Sequence, residues 1–207
     1  TAYRRQRQMC IRDSYDGKHI KHYTFSDDSM KLDSRIALNW LYMDQEDVLW
    51  VIGQKGRIFR YDSQHDKFEL AYVHPELIRN KFQAFLDYGY LDKNDHIWLC
   101  YKDTITWYNI RTGTTQHMPK PVDGAISTIE QADGGHFFIG TGSGLFCVGI
   151  EKGELKQIPD EVVKSIVTPV HELYYHTVSK QLFVGSYKEG ILIYDIGCLL
   201  YTSDAAD

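Results

Sequence analysis

Residues 44–62 read DQEDVLWVIGQKGRIFRYD, and this stretch decides the fold because the chain repeats it in modified form. It contains a short apolar run, LWVIG from Leu49, followed by a polar turn and a second apolar run that ends at Tyr61 and Asp62. Short runs rich in aromatic and β-branched residues, punctuated by Gly and Asp, are typical of antiparallel strands. The stretch therefore predicts two strands joined by a tight turn.

Three further copies of this stretch follow along the chain. Their leading apolar runs are IWLCY from Ile97, FFIGT from Phe137 and LFVGS from Leu182. The second residues of the four runs lie 48, 40 and 45 positions apart, whereas each lies only 10 or 11 positions from the matching Tyr61, Tyr108, Val148 or Tyr194. A constant core with connections of varying length, repeating about every 40–50 residues, is typical of β-propellers with four strands in each blade.

The sequence therefore predicts an all-β fold, a partial β-propeller of about three and a half four-stranded antiparallel blades in an open arc. Complete blades are expected at about residues 36–73, 82–118 and 124–158, and partial blades at about 15–24 and 168–197. Because a blade cannot bury either face alone, large side chains on its second and third strands must pack against neighbouring blades. The expected structural anchors are Trp50, Trp98, Phe138, Phe183, Tyr61, Tyr108 and Tyr194.

The two ends of the chain are expected to be foreign to the fold. Residues 4–14 read RRQRQMCIRDS and residues 198–207 read CLLYTSDAAD. One DNA string can encode the first segment on one strand and the second segment on the other, and it resembles the transposon-end adaptor used to prepare sequencing libraries. We therefore interpret residues 1–14 and 198–207 as translated adaptor flanking a propeller fragment at 15–197, and we exclude them from the fold.

Composition excludes several classes of function. The formal net charge is −5, which becomes −6 without the two ends. Nucleic-acid-binding domains need clustered Lys and Arg, so no nucleic-acid partner is expected. No apolar run approaches the length of about 20 residues that crosses a bilayer. Cys100 and Cys147 lie in apolar strand patterns and are expected to be buried small hydrophobic residues.

The residue types that carry out catalysis or bind metals are scattered. Most of the nine histidines fall at strand ends and turns. His96 and His136 occupy the same turn position in successive repeats, which indicates a role in the turn. No paired carboxylates, Ser/His/Asp set or metal-spaced group of His and Cys is evident. We therefore predict no catalytic residue, no metal, no cofactor and no enzymatic activity for this region.

The repeat resembles that of the two-component regulator propeller family, the periplasmic sensor region of bacterial hybrid two-component histidine kinases. The strand–turn–strand core of that family carries the pattern D-x-x-G-x-hydrophobic-W-hydrophobic-G-T-x-x-G-hydrophobic-x-x-Y-D. The four units match it at Asp44, Trp50, Gly53, Gly56, Tyr61 and Asp62, at Asp92, Trp98 and Tyr108, at Gly140, Thr141 and Gly144, and at Gly185, Gly190, Tyr194 and Asp195. The second unit departs from the pattern with Tyr101 and Asp103 in place of glycines, and the third with Phe138 in place of Trp.

The resemblance implies a ligand-sensing propeller in the periplasmic or extracytoplasmic part of an inner-membrane signalling protein. The implied parent protein is a histidine kinase, and the implied ligand is an extracellular oligosaccharide. The other implied partners are the rest of its own propeller, downstream signalling domains and a second copy in a homodimer.

Ligand sites on propellers usually lie near the central channel, where loops converge on one face. In this chain that face is formed by the turns between second and third strands and by the connections between blades. An exposed ring beside polar groups suits stacking on a sugar, which favours Tyr101 and Tyr187. The predicted ligand-binding residues are Gln54, Lys55, Tyr101, Lys102, Tyr187 and Lys188 in the turns, and Trp40 and Tyr88 in first strands. Ordinary packing of these turns and of the channel is the alternative.

Two other functions stay open. One is a scaffold that binds only proteins. The other is a propeller enzyme, such as a lyase of the antibiotic-opening type with similar repeats, which would need a catalytic His and an acid that converge at the channel.

Overall fold

The fold consists of consecutive antiparallel sheets, seen in a computed structural model that describes Lys21, Tyr23 and residues 38–75, 85–159 and 161–196. The strands are β1 (Leu38–Met43), β2 (Leu49–Gly53), β3 (Arg57–Asp62), β4 (Lys67–Tyr72), β5 (Tyr88–Leu91), β6 (His96–Cys100), β7 (Thr104–Asn109), β8 (Thr115–Pro119), β9 (Ile126–Gln131), β10 (Phe137–Thr141), β11 (Gly144–Glu151), β12 (Glu154–Gln157), β13 (Val170–His176), β14 (Gln181–Ser186) and β15 (Gly190–Asp195). A short helix, α1 (Glu161–Ser165), precedes the last sheet.

Each sheet is built from strands that are neighbours in the sequence. Blade 1 contains β1–β4, blade 2 β5–β8, blade 3 β9–β12 and blade 4 the three strands β13–β15. The predicted fold class is confirmed, because a nearly all-β chain forms antiparallel sheets of three or four strands in the order of a partial β-propeller. The two predicted adaptor segments lie outside the described residues, as does most of the predicted partial blade at 15–24.

Adjacent blades bury apolar side chains between their facing surfaces. Between blades 1 and 2 lie Trp50, Ile52, Ile58, Ile97, Leu99 and Tyr108. Between blades 2 and 3 lie Trp98, Ile105, Trp107, Phe137, Ile139 and Val148. Between blades 3 and 4 lie Phe138, Leu145, Cys147, Leu173, Leu182 and Val184. The core is therefore divided into layers, each shared by two sheets, as the need of a blade to bury both faces requires.

The anchor aromatics of the second strands in blades 1 to 3 face the blade that follows. The Trp50 ring lies 6.3 Å from the ring of Tyr108 in blade 2, and the Trp98 ring lies 4.5 Å from that of Phe137 in blade 3. Phe138 packs in the layer that blade 3 shares with blade 4. These three anchors are buried, whereas Phe183 in blade 4 is only half-buried. No further blade lies beyond Phe183 among the described residues.

An aspartate holds the tryptophan anchor in blades 1 and 2. In blade 2, Asp92 accepts hydrogen bonds from the backbone N–H groups of Asn94 and His96, and its Oδ2 accepts one from Trp98 Nε1 at 2.8 Å. Asp44 forms the same three bonds in blade 1, including one from Trp50 Nε1 at 2.9 Å. The carboxylate thus fixes both the turn between first and second strands and the orientation of the indole.

Blade 3 lacks both members of this Asp–Trp pair. Ala132 occupies the place of the aspartate, since its N–H bonds to the His136 carbonyl as that of Asp92 bonds to the His96 carbonyl. The anchor six residues later is Phe138, which has no N–H to donate. The buried acceptor and the buried donor are therefore replaced together, so neither is left without a partner.

The first strands form the inner edge of the arc. Strand β1 contacts β5, β5 contacts β9, and β9 contacts β13, whereas contact between outer strands occurs at β8 and β12. Tyr42 Oη donates a hydrogen bond to the Gly89 carbonyl at 2.6 Å, which joins β1 to β5. Ser127 Oγ donates one to the Val170 carbonyl at 2.5 Å, which joins β9 to β13.

Candidate functional site

A polar cavity of about 330 Å³ opens between blades 2 and 3, and we call it the mouth cavity. Its lining residues are Asp87, Lys102, Asp103, Lys120, Val122, Asp123, Gly124 and Ala125. Asp87 directly precedes β5, Lys102 lies in the turn between β6 and β7, and residues 120–125 connect β8 to β9. The cavity therefore lies on the face where the sequence predicts ligand binding, formed by second-to-third-strand turns and a connection between blades.

The mouth cavity contains a buried ammonium group. The Lys120 side chain is only 5% exposed, and its Nζ lies 3.9 Å from Asp87 Oδ2. Lys120 Nζ also donates a hydrogen bond to the Gly124 carbonyl at 2.5 Å. Burying an ammonium is unfavourable unless it is paired and hydrogen-bonded, and here the pairing with the carboxylate is long.

The Asp87 carboxylate is also incompletely satisfied. Burial raises the pKa of Asp87, opposed by the charge of Lys120 and by a hydrogen bond from the backbone N–H of Ile126. Nearby Asp103 raises the pKa further. Among the described residues no donor forms a hydrogen bond to the buried Oδ2 atom. Asp87 Oδ2 and Lys120 Nζ therefore lie side by side next to the cavity, each with unused hydrogen-bonding capacity, and the Oδ2 atom is itself buried.

Two smaller cavities are built differently. One of about 160 Å³ lies between β11, β12 and α1 and is lined by Leu145, Phe146, Ile158 and Val163 among others. The other, of about 170 Å³, lies between the turns that follow β1 and β5, and its lining includes Asp44, Gln45, Asp92 and Lys93. The first is enclosed mainly by apolar packing, and the second includes the aspartates already bonded to the anchors, so the mouth cavity is the stronger candidate.

The structure contradicts the exposed ring predicted for Tyr101. This residue is 2% exposed and packs in the layer between blades 1 and 2. Its hydroxyl donates a hydrogen bond to the Lys55 carbonyl at 3.3 Å, and burial raises the pKa of Tyr101. The ring fills the space above Gly56, because a glycine there leaves room that any larger residue would occupy. Tyr101 is therefore a packing residue that supports the first turn.

The other predicted ligand residues fall in separate places. Lys102 lines the mouth cavity. Lys55 is half-buried and lies in the turn between β2 and β3 of blade 1. The side chain of Gln54 lies outside the described part of the chain. Tyr187 and Lys188 are exposed in the turn of blade 4, where the Tyr187 ring lies 4.4 Å from that of His171. Trp40 and Tyr88 are half-buried in β1 and β5, with ring centroids 5.6 Å apart. Sequence reasoning missed Asp87, Asp103, Lys120 and Asp123, which do not recur between repeats.

We expect Gly56→Ala to destabilise the chain by about 2–3 kcal/mol. Gly56 has φ +79°, and an added Cβ would lie 2.0 Å from Tyr101 Oη, so the substitution strains the backbone and displaces the buried ring. Gly190→Ala is the matched control, because Gly190 has φ +74° with no atom within 4 Å of an added Cβ. It should cost only the backbone strain, about 1 kcal/mol. Urea unfolding measures both, and equal losses would contradict the predicted clash.

Metal-holding groups and membrane-spanning helices are both absent from the described ranges. Within 38–75, 85–159 and 161–196, together with Lys21 and Tyr23, no three His, Cys, Asp or Glu side chains are grouped to hold a metal ion. No helix in this part of the chain is long and apolar enough to cross a membrane.

Comparison with known proteins relates the fold to β-propellers. No protein-family description matches the sequence, and no curated protein matches it. Solved structures do match, including β-propeller domains. The extracellular domain of the hybrid two-component system BT4673 from B. thetaiotaomicron matches with a TM-score of 0.62 at 15% identity over 87% of this chain and 23% of that one. That of BT3049, from the same organism, matches with a TM-score of 0.54 at 17% identity over 89% and 31%.

The same fold occurs in a protein of another class. The streptogramin B lyase matches with a TM-score of 0.52 at 14% identity, over 87% of this chain and 60% of the lyase. At these identities the likeness establishes a shared fold, and the chain spans only about a quarter to a third of the two sensor domains. The molecule is thus a partial β-propeller, and extracellular domains of two-component systems are among its structural neighbours, in agreement with the family that its repeats resemble.

Proposed function

We propose that this chain is the ligand-sensing propeller region of a bacterial two-component signalling protein, a hybrid histidine kinase. The observation that carries the proposal is the recurrence of the family's repeat at equivalent structural positions. Trp50 and Trp98 face the next blade in the same way, and each donates its indole N–H to the aspartate six residues earlier. The structural likeness to two extracellular two-component domains supports the same class.

The proposed location is the periplasmic or extracytoplasmic side of the inner membrane. The partners in this proposal are the rest of the propeller, the downstream signalling domains and a second copy of the protein in a homodimer. A change of ligand occupancy would be transmitted through contacts between blades, because each described layer of the core is shared by two sheets. This role is non-enzymatic and requires no cofactor.

The proposed ligand is an extracellular oligosaccharide. Hydroxyl groups of a sugar can donate to carboxylates and accept from ammonium groups, and the mouth cavity offers both. On blade 4, Tyr187 is 83% exposed beside Lys188, which suits stacking on a sugar ring. Tyr187 and Lys188 lie in the turn between β14 and β15, and Lys102 and Asp103 of the mouth cavity lie in the equivalent turn between β6 and β7.

Two measurements test the proposal. The complete coding sequence should contain a membrane span and a histidine kinase; a coding sequence that ends after the propeller would contradict it. A glycan array probed with the complete propeller should show selective binding of one oligosaccharide family. Binding of peptides alone would favour a different function.

That second function is a protein-binding scaffold, and one observation favours it. The outward face of blade 4 exposes Tyr174, Ile191 and Ile193 at 58%, 72% and 58%. An exposed group of large apolar side chains is typical of protein–protein contact surfaces. A peptide array with the complete propeller separates the two functions, because peptide binding through this face requires that no further blade covers it there.

A further inference from the structure

We propose that Asp123 is a site of spontaneous backbone isomerisation, at which the aspartate converts to isoaspartate. The chain contains three Asp–Gly pairs, Asp16–Gly17, Asp123–Gly124 and Asp133–Gly134. The first lies outside the described residues, so the structure allows the other two to be compared. Glycine makes such a pair reactive because it has no Cβ to shield its backbone nitrogen. The inference is independent of the proposed sensing function.

The reaction needs only the chain and water. The backbone nitrogen of Gly124 attacks the side-chain carboxyl carbon of Asp123, a new C–N bond forms, and the amide hydrogen leaves with the carboxyl OH as water, which gives a cyclic succinimide. Water then opens the ring at either of its carbonyl carbons. Opening at the original main-chain carbonyl makes the chain run through the side-chain carbon and leaves a carboxyl group on the α-carbon. No atom is gained or lost overall, and the main chain becomes longer by a methylene group.

The Asp123–Gly124 pair can adopt the geometry of attack. Both residues are exposed, in the connection that joins β8 to β9. Within the described ranges, the Asp123 carboxylate forms no hydrogen bond or ion pair. An added Cβ on Gly124 would meet its nearest atom, Ser143 Oγ, at 3.6 Å, so the surroundings of this glycine are uncrowded. A side-chain rotation that brings the carboxyl carbon to the Gly124 nitrogen therefore breaks no described hydrogen bond.

The Asp133–Gly134 pair has the same two residue types but is held in place. Asp133 Oδ2 accepts a hydrogen bond from Tyr175 Oη at 2.9 Å and another from Lys180 Nζ. The bond from Lys180, and then that from Tyr175, lower the pKa of Asp133, so less of the carboxyl group is in the protonated form that loses water. The pair also lies in the tight turn Asp133–Gly135. Asp133 must therefore give up its bonds to blade 4 before it can react.

Isomerisation at Asp123 alters the connection between blades 2 and 3. The Gly124 carbonyl accepts a hydrogen bond from Lys120 Nζ at 2.5 Å. An extra methylene group in the main chain between Asp123 and Gly124 displaces that carbonyl from the ammonium group. Because both residues of the pair line the mouth cavity, the cavity changes shape as the protein ages.

The test compares the two sites in the folded chain during incubation at mildly acidic pH and physiological temperature. The protease Asp-N cleaves before aspartate but not before isoaspartate, so mass spectrometry of the digest measures the loss of cleavage at each site. Isomerisation at Asp123 should be about tenfold or more faster than at Asp133, because Asp133 must first break charge-assisted hydrogen bonds. The same incubation in urea removes the fold and should bring the two rates together.

A double variant tests the protection of Asp133. Lys180→Ala combined with Tyr175→Phe removes both partners, and should raise the rate at Asp133 by about tenfold or more without changing the rate at Asp123. Lys156→Ala is the matched control, because it removes an exposed lysine from an ion pair in blade 3, and it should leave both rates unchanged.

Circular dichroism establishes that each variant is folded. The proposal is overturned if Asp123 reacts no faster than Asp133 in the folded chain, or if the difference between the two sites persists in urea. It is also overturned if the folded double variant reacts at Asp133 no faster than the unmodified chain.

Discussion

Asp92→Ala should lower the free energy of unfolding by about 3–5 kcal/mol, the largest loss expected of a single polar residue in the described part of the chain. The Asp92 side chain is fully buried, and it accepts hydrogen bonds from the N–H groups of Asn94, His96 and the Trp98 indole. Removing the carboxylate leaves three donors without their acceptor, and the indole among them is in the core. Urea unfolding followed by circular dichroism measures the loss.

Two comparisons within the chain sharpen this test. Asp44→Ala removes the same three bonds in blade 1, but Asp44 is only half-buried, so water can replace part of the loss and the cost should be smaller. The double variant Asp92→Ala with Trp98→Phe recreates the Ala132 and Phe138 combination of blade 3. It should be more stable than the sum of the single variants predicts, by about 1 kcal/mol or more. Strict additivity would show that the Asp–Trp hydrogen bond contributes nothing.

We expect the chain to self-associate through the outward face of blade 4, where Ile191 and Ile193 are exposed. Ile191→Asp together with Ile193→Asp should abolish that association, the second large effect. Ile191 is 72% exposed, whereas the residues at its position in blades 1 to 3, Ile58, Ile105 and Leu145, are 0%, 0% and 4% exposed. Blade 4 thus has an apolar surface of the kind that packs against a neighbouring blade, and no described residue packs against it. Each isoleucine contributes about 1.5–3 kcal/mol when buried, so the two charges should weaken association by more than about 100-fold.

Sedimentation velocity measures this effect over a range of protein concentrations. Val178→Asp is the matched control, because Val178 is 85% exposed in the turn between β13 and β14, away from the face that holds Ile191. That variant should associate like the unmodified chain. A monomeric unmodified chain, with the outward face of blade 4 open to solvent, would contradict the prediction.

The repeat made much of the fold predictable. The distance of 10 or 11 residues from each anchor to the matching Tyr61, Tyr108, Val148 or Tyr194 holds in every unit, because it is set by two short strands and one turn. The same local pattern placed Trp50, Trp98 and Phe138 at blade interfaces, where they are buried. The sequence alone therefore determined the strands, their antiparallel order and which side chains point toward a neighbouring blade.

The site could be predicted only in part. The sequence predicted ligand binding on the face formed by second-to-third-strand turns and connections between blades, and Lys102 lines the mouth cavity on that face. Tyr101 was misjudged because its exposure depends on Gly56, a residue 45 positions earlier in another blade. The groups that define the cavity, Asp87 and Lys120, are 33 positions apart and do not recur, so no periodic signal marks them.

What the sequence by itself determined is the repeating unit, since hydrophobic alternation and turn chemistry act between residues close along the chain. What the tertiary structure decided is which loops meet and which apolar faces are covered. Those outcomes depend on how one blade is stacked on the next. The Tyr101 ring is therefore buried in the core, Lys120 lies beside Asp87 at a cavity, and Ile191 is exposed. The physical reason is that contacts between blades join distant segments through unrelated loops, whereas contacts within a blade follow from the spacing of neighbouring strands.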